Sequence, residues 1–138
     1  MEIRLVEKKD MIEVIDMLQS ISNFYPENEI IETIWGEFSK QPNNFSFVYI
    51  KSNYIVGYGS VTIEMKIRGG KLGHIEDIVV HNDYRGKGLG KEIINHLTQY
   101  AKKSNCYKVS LSCKDQNVKF YQKCGFEISG ITMNKFIE

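Results

Sequence analysis

No apolar run in this 138-residue chain approaches the ~18 residues that a membrane-spanning helix needs. The first ten residues, MEIRLVEKKD, contain no hydrophobic core of a secretion signal. A soluble, cytoplasmic protein is the expectation. There are only three cysteines, Cys106, Cys113 and Cys124, an odd set without C-x-x-C pairs or companion histidines. That argues against both a disulfide framework and a zinc site; the thiols read as small buried hydrophobes, and no metal is expected. Only two prolines occur, and no repeat, low-complexity tract or linker divides the chain, so residues 1–138 are expected to form a single domain. Charge of one sign is missing too. Eighteen Lys+Arg against seventeen Asp+Glu leave +1, giving no broad field for nucleic acid or anionic membrane. With 42% hydrophobic residues, the chain has the means to build an ordinary core.

Periodicity then sets the elements. Residues 2–6 read as a strand. Met11, Val14, Ile15 and Leu18 recur at helical spacing, as do Ile30, Ile31, Ile34 and Phe38 after Pro26. FSFVYI (45–50) and YIVGYGSVTIEM (54–65) flank Lys51-Ser52-Asn53, a hairpin signal. LGHIEDIVV (72–80) follows a turn at Arg68-Gly69-Gly70-Lys71. Leu89, Ile93, Ile94, Leu97 and Ala101 mark an amphipathic helix. CYKVSLSC (106–113) reads as a strand. A short helix is expected after it, with Asp115 as N-cap and Gly125 at its C′ position, before a last strand, FEISGITMNKF (126–136). The order β-α-α-β-β-β-α-β-α-β predicts an α/β (α+β) fold, a mixed, mostly antiparallel sheet with helices on both faces.

The most informative segment is Asp83-Tyr84-Arg85-Gly86-Lys87-Gly88-Leu89-Gly90-Lys91, between a strand and a helix. Alternating glycines allow a tight turn with no side chain in the way, and the helix N-terminus beyond it directs free N–H groups into the loop. A pyrophosphate suits such a place. Counting excludes two common phosphate motifs. A dinucleotide fingerprint from Gly86 needs glycine where Lys91 stands. A Walker P-loop ending at Lys91 needs glycine at Arg85 and Ser or Thr at Glu92.

What remains, Arg85-x-x-Gly88-x-Gly90, resembles the acyl-CoA pyrophosphate loop of the GNAT acetyltransferases, and the element order is similar across the whole chain. GHIEDIVV (73–80), YRGKGLGK (84–91), CYKVSL (106–111) and NVKFYQKCGF (117–126) resemble more closely the glucosamine-6-phosphate N-acetyltransferases within that superfamily. The resemblance implies direct acetyl transfer from acetyl-CoA to the amine of glucosamine 6-phosphate in a ternary complex. Two alternatives stay open: acetylation of another amine (protein lysine, polyamine or aminoglycoside), and a non-catalytic acetyl-CoA-binding module.

Glu76-Asp77 is an acidic pair inside an apolar strand, where a base for the amine is needed. Strand alternation would send the two side chains to opposite faces unless a bulge intervenes, and the resemblance implies such a bulge. It also implies that acetyl-CoA meets the strand backbone at Ile78, Val79 and Val80 and the loop residues Arg85, Gly86, Lys87, Gly88, Leu89, Gly90 and Lys91. Asn117 is expected either at pantetheine or as a residue that starts its helix, and Tyr121 at the thiol. Substrate-side expectations fall on Glu76, Asp77, Tyr107, Lys108, Lys66 and, near a family threonine, Gln19. Ser112 stands where relatives carry an acidic residue, and Phe136 where they can carry an arginine, with Lys135 beside it. His74 and His81 read as structural. A homodimer is expected, with the C-terminal strand leaving its own sheet and Lys108 of one chain facing the sugar phosphate in the other's site.

Overall fold

The structure is a computed structural model describing residues 1–138. Five strands lie side by side in chain order: β1 (Glu2–Leu5), β2 (Asn44–Lys51), β3 (Tyr54–Lys66), β4 (Gly70–Val80) and β5 (Cys106–Ser110). The first four are antiparallel and β5 runs parallel to β4. A parallel neighbour requires a crossover, and α3 (Leu89–Lys103) supplies it. The remaining helices are α1 (Met11–Leu18), α2 (Asn28–Phe38) and α4 (Val118–Lys123). The hairpin between β2 and β3 turns at Ser52 and Asn53, both with positive φ, as a two-residue primed turn requires.

Each face of the sheet is covered by its own apolar layer. On one side Ile93, Ile94 and Leu97 of α3 pack on Phe47, Tyr49, Val56, Val61 and Ile75. Those three α3 side chains are at most 1% exposed, and each such burial stabilises by about 1.5–3 kcal/mol. Helix α3 sits this close because β3 presents glycine beneath it: a Cβ at Gly57 would lie 2.7 Å from Ile93 Cδ1. On the other side Val14 and Met17 of α1 pack on Val48, Ile55, Tyr58 and Val79. Helix α2 lies on that side too, yet none of its residues is fully buried.

The structure corrects the sequence reading at the C-terminal end. Strand β5 stops at Ser110 rather than 113, and residues 126–136 form no strand. Phe126 N–H donates to the Tyr121 carbonyl at 3.0 Å, and beyond it no backbone hydrogen bond holds the segment. Alternating apolar residues make a segment competent to be a strand, but a strand exists only where a ladder forms, and this segment pairs with no strand of its own chain. Ile128, Ile131, Met133, Phe136 and Ile137 stay exposed. Asp115 is not a cap; it opens a 3-10 turn, Asp115–Asn117, whose capping residue Lys114 makes no side-chain cap hydrogen bond. Gly125 does take the left-handed C′ conformation, at φ +94°.

Candidate active site

A bulge in β4 organises the site. Tyr58 pairs with Val79 and Ser60 with Glu76, so Gly59 alone opposes the two residues Asp77 and Ile78. Asp77 is the residue that absorbs the distortion, at φ +53°, a conformation asparagine and aspartate tolerate better than most. The extra residue reverses the alternation. Ile75 faces α3 before the bulge, but after it Ile78 and Val80 face α3 while Val79 faces α1. Glu76, cross-strand from Ser60, therefore lies on the α1 side, and Asp77 lines a cavity on that same side. Both carboxylates reach one face, which strict alternation would forbid.

At this point β4 also loses its neighbour. Its pairing with β5 runs from Lys71 to His74, opposite Ser110, and goes no further, so residues 75–80 border an open wedge. Below the wedge lies the glycine loop. Gly86 and Gly88 hold φ +76° and +81°, and a Cβ on either would meet nothing within 4 Å. These positions face open space, as a cradle for a ligand should. Gly88 is the N-cap of α3. Arg85 donates Nε–H to the Val80 carbonyl at 3.1 Å, fastening the loop to the end of β4. Lys87 Nζ lies 5.5 Å from the Tyr84 ring centre, and Lys91 follows in the first turn of α3. Gly90 has a different task from the other two. Its missing Cβ makes room for Phe120, which would be 3.3 Å away, so it seats α4 against α3.

Helix α4 brings Tyr121 to the α3-side core, edge-on to Phe120 (5.0 Å) and Phe126 (5.9 Å). Burial, assisted by the neighbouring Cys113 and Cys124 thiols, pushes the phenol pKa up, so Tyr121 stays protonated near neutrality. Asn117 ends the 3-10 turn just before α4 and is exposed. Burial also raises the Asp77 carboxyl, although more than a third of the residue meets solvent at the cavity mouth.

The expected substrate-side residues are only partly brought together. Lys108 is paired opposite Leu72, four residues or about 13 Å along the strand from Glu76, on the face that carries His74 and Ser110. Its Nζ lies 5.5 Å from the ring centre of Tyr107, which is the extra residue of a second irregularity, between Lys71 and Leu72. Lys66 Nζ is paired with Glu64 at 2.6 Å, and that pairing lowers the Glu64 carboxyl pKa. Gln19 is committed elsewhere: its amide accepts from Phe24 N–H at 2.7 Å and donates to the Phe24 carbonyl, tying down the loop after α1. Ser112 bonds Thr132 at 2.9 Å, whereas Phe136 and Lys135 are exposed in the tail. Tyr58, which the sequence did not single out, shares the cavity with Asp77, and burial pushes its phenol up to about 12. Its strand position hid it among core residues.

Comparison with known proteins gives the family and the fold. Residues 12–126 match the Acetyltransferase (GNAT) family. The chain is 44% identical over 108 residues to glucosamine 6-phosphate N-acetyltransferase 1 of Dictyostelium discoideum, covering 75% of this chain and 69% of that protein. It is 32% identical over 130 residues to the glucosamine 6-phosphate N-acetyltransferase of Trypanosoma brucei brucei, covering 91% and 88%. The crystal structure of glucosamine-6-phosphate N-acetyltransferase from Arabidopsis thaliana superposes with a TM-score of 0.86 at 34% identity, covering 99% and 98%.

Proposed function

Because the chain belongs to the GNAT acetyltransferase family, we propose that it moves the acetyl group of acetyl-CoA to the amine of glucosamine 6-phosphate, forming N-acetylglucosamine 6-phosphate and CoA. The observation that carries this reading is the β4 bulge. It presents two carboxylates on one sheet face where β4 and β5 part and directly above an unobstructed glycine turn. A base, an entry for a thioester and an anion cradle thus converge, and the relatives that share this chain's sequence act on glucosamine 6-phosphate by name.

The Glu76–Asp77 pair supplies the base for the amine, whose nitrogen attacks the thioester carbonyl directly. The N–H groups of β4 near Ile78, beside the open wedge, polarise that carbonyl as charge develops on its oxygen. Tyr121 donates its phenolic proton to the departing sulfur. The loop Arg85–Lys91 holds the pyrophosphate on the N-terminus of α3, with the strand end Ile78–Val80 and Asn117 along pantetheine. Lys108 and Lys66 provide cations for the sugar phosphate. No acyl-enzyme is required.

A second copy of the chain is part of this reading. The unpaired segment 126–138, with its exposed apolar side chains, suits a strand that pairs in a partner subunit, and Lys108 then faces the partner's site. No helix is long and apolar enough to cross a membrane; a cytoplasmic location fits the free thiols.

The test is thiol release from acetyl-CoA against a panel of amines, with glucosamine and glucosamine 6-phosphate side by side. The 6-phosphate should be preferred by at least tenfold in kcat/KM. Equal rates for both sugars, or faster release with a polyamine or lysine peptide, would replace the assigned acceptor; cofactor binding without turnover would leave a binding module.

A further inference from the structure

Between α1, α2 and the sheet lies a cavity of about 300 Å³ whose chemistry is not that of a sugar phosphate. Val14, Ile15, Leu18, Phe24, Ile34 and Phe38 line most of it, and Asp77 is its only charged residue. Of the other polar side chains, the Gln19 amide is engaged at both atoms by the Phe24 backbone. Sugar hydroxyls buried there would lose water without gaining partners, and a phosphate would meet a carboxylate and no cation. The polar strip Glu64, Lys66, His74, Glu76 and Lys108 runs along the same sheet face outside it. The bulge thus divides the acidic pair. Glu76 belongs to the polar strip and Asp77 to the apolar cavity.

We propose that the enzyme accepts a second class of substrate, small primary amines carrying an aliphatic or aromatic body, which fill this cavity with the nitrogen at Asp77. This rests on acetyl transfer at the bulge as described above. Charge complementarity places the nitrogen, since one carboxylate in an apolar lining is the pattern that selects a cation with a hydrophobic body. Entry is available at Asp77, a lining residue that is itself solvent-exposed. The chemistry balances without a further reagent. The ammonium loses its proton to the Asp77 carboxylate, which passes it to water. The nitrogen lone pair forms the N–C bond, after which the nitrogen gives up a second proton through Asp77 to water. The C–S bond breaks, and sulfur leaves with its electrons and takes a proton from Tyr121, which regains one from solvent. The sum is one amide, one thiol and one released proton.

The experiment compares phenethylamine and hexylamine with ethanolamine, with glucosamine 6-phosphate in the same preparation. The two apolar amines should exceed ethanolamine by at least tenfold in kcat/KM. They should also change the fluorescence of Trp35, the chain's single tryptophan, whose ring lies 6.2 Å from that of the cavity residue Phe38; ethanolamine should not. Ile34→Trp fills the cavity from α2 and should lower the phenethylamine rate at least tenfold while leaving the sugar rate unchanged. Ile15→Phe serves the same end from α1 if the first variant does not fold. No preference for an apolar body, no fluorescence change, or equal effects of filling the cavity on both substrates overturns the proposal. Turnover of the sugar phosphate without the amines removes this inference and keeps the sugar reading; turnover of the amines alone does the reverse.

Discussion

Arg85 Nε–H and the Val80 carbonyl are joined by a 3.1 Å hydrogen bond that closes the loop between β4 and α3. The guanidinium of this motif residue therefore spends one donor on holding the loop and has others left for phosphate oxygens. Lysine has the charge but not the fork. Arg85→Lys should raise the KM for acetyl-CoA about tenfold, corresponding to roughly 1.4 kcal/mol, with the KM for the acceptor unchanged. Unaltered acetyl-CoA kinetics would reduce Arg85 to a surface residue.

The three loop glycines should not respond alike. Gly88 has positive φ and open space around it, so Gly88→Val costs backbone strain and obstructs the cradle without clashing inside the protein. Gly90 has ordinary backbone and a crowded Cβ site, so Gly90→Ala presses on Phe120 and shifts α4 with Tyr121. Calorimetry should show lost acetyl-CoA binding for the first. Kinetics should show a lower kcat with nearly normal acetyl-CoA affinity for the second. The same phenotype in both would merge their roles.

Tyr121→Phe removes a hydroxyl and almost no volume, so folding should persist. If the phenol donates to sulfur only as charge develops, kcat should fall roughly 10²-fold with little change in the KM for acetyl-CoA. Because burial raises the phenol's pKa, wild-type activity should not decline through loss of this proton until well above neutrality. Wild-type kcat in the variant, measured where chemistry limits the rate, would leave Tyr121 as packing.

On the proposed function, Lys108→Ala removes one charge-assisted contact to the sugar phosphate, a loss of about 1.5–3 kcal/mol. The KM for glucosamine 6-phosphate should rise roughly ten- to a hundredfold, while unphosphorylated glucosamine and acetyl-CoA stay as they were. Equal weakening of both sugars would move the phosphate to Lys66, Arg68 or Lys135.

Asp10, 3% exposed, holds a two-pronged bond from Arg4 at 2.7 and 2.9 Å and accepts from Glu7 N–H at 2.8 Å. Burial alone would raise this carboxyl, but Arg4, the Glu7 amide and Lys9 together outweigh it and the pKa falls. A folded pKa below the unfolded one gives stability that is present above about pH 4 and lost as pH drops through the folded value. Arg4→Met should therefore cost about 2–3 kcal/mol at pH 7. The gap to wild type should narrow toward pH 3 in thermal or urea denaturation. A gap independent of pH would assign the loss to packing.

The elements that pack in one chain were legible because their signals are local. The stripe Leu89, Ile93, Ile94, Leu97 and Ala101 is the buried face of α3, since helical period and burial coincide there. The tight turn at Arg85–Lys91 was legible because alternating glycines permit the positive φ that Gly86 and Gly88 adopt. Spacing alone could not put Glu76 and Asp77 on one face. That depends on a residue inserted opposite Gly59, and a bulge is set by what the neighbouring strand can match rather than by the strand's own pattern. Nor could spacing separate Gly88 from Gly90, because only the tertiary approach of Phe120 distinguishes open space from a crowded seat. Alternation at 126–136 reads as a strand, yet the segment forms none, because ladder hydrogen bonding depends on a second segment in register and not on the pattern of one.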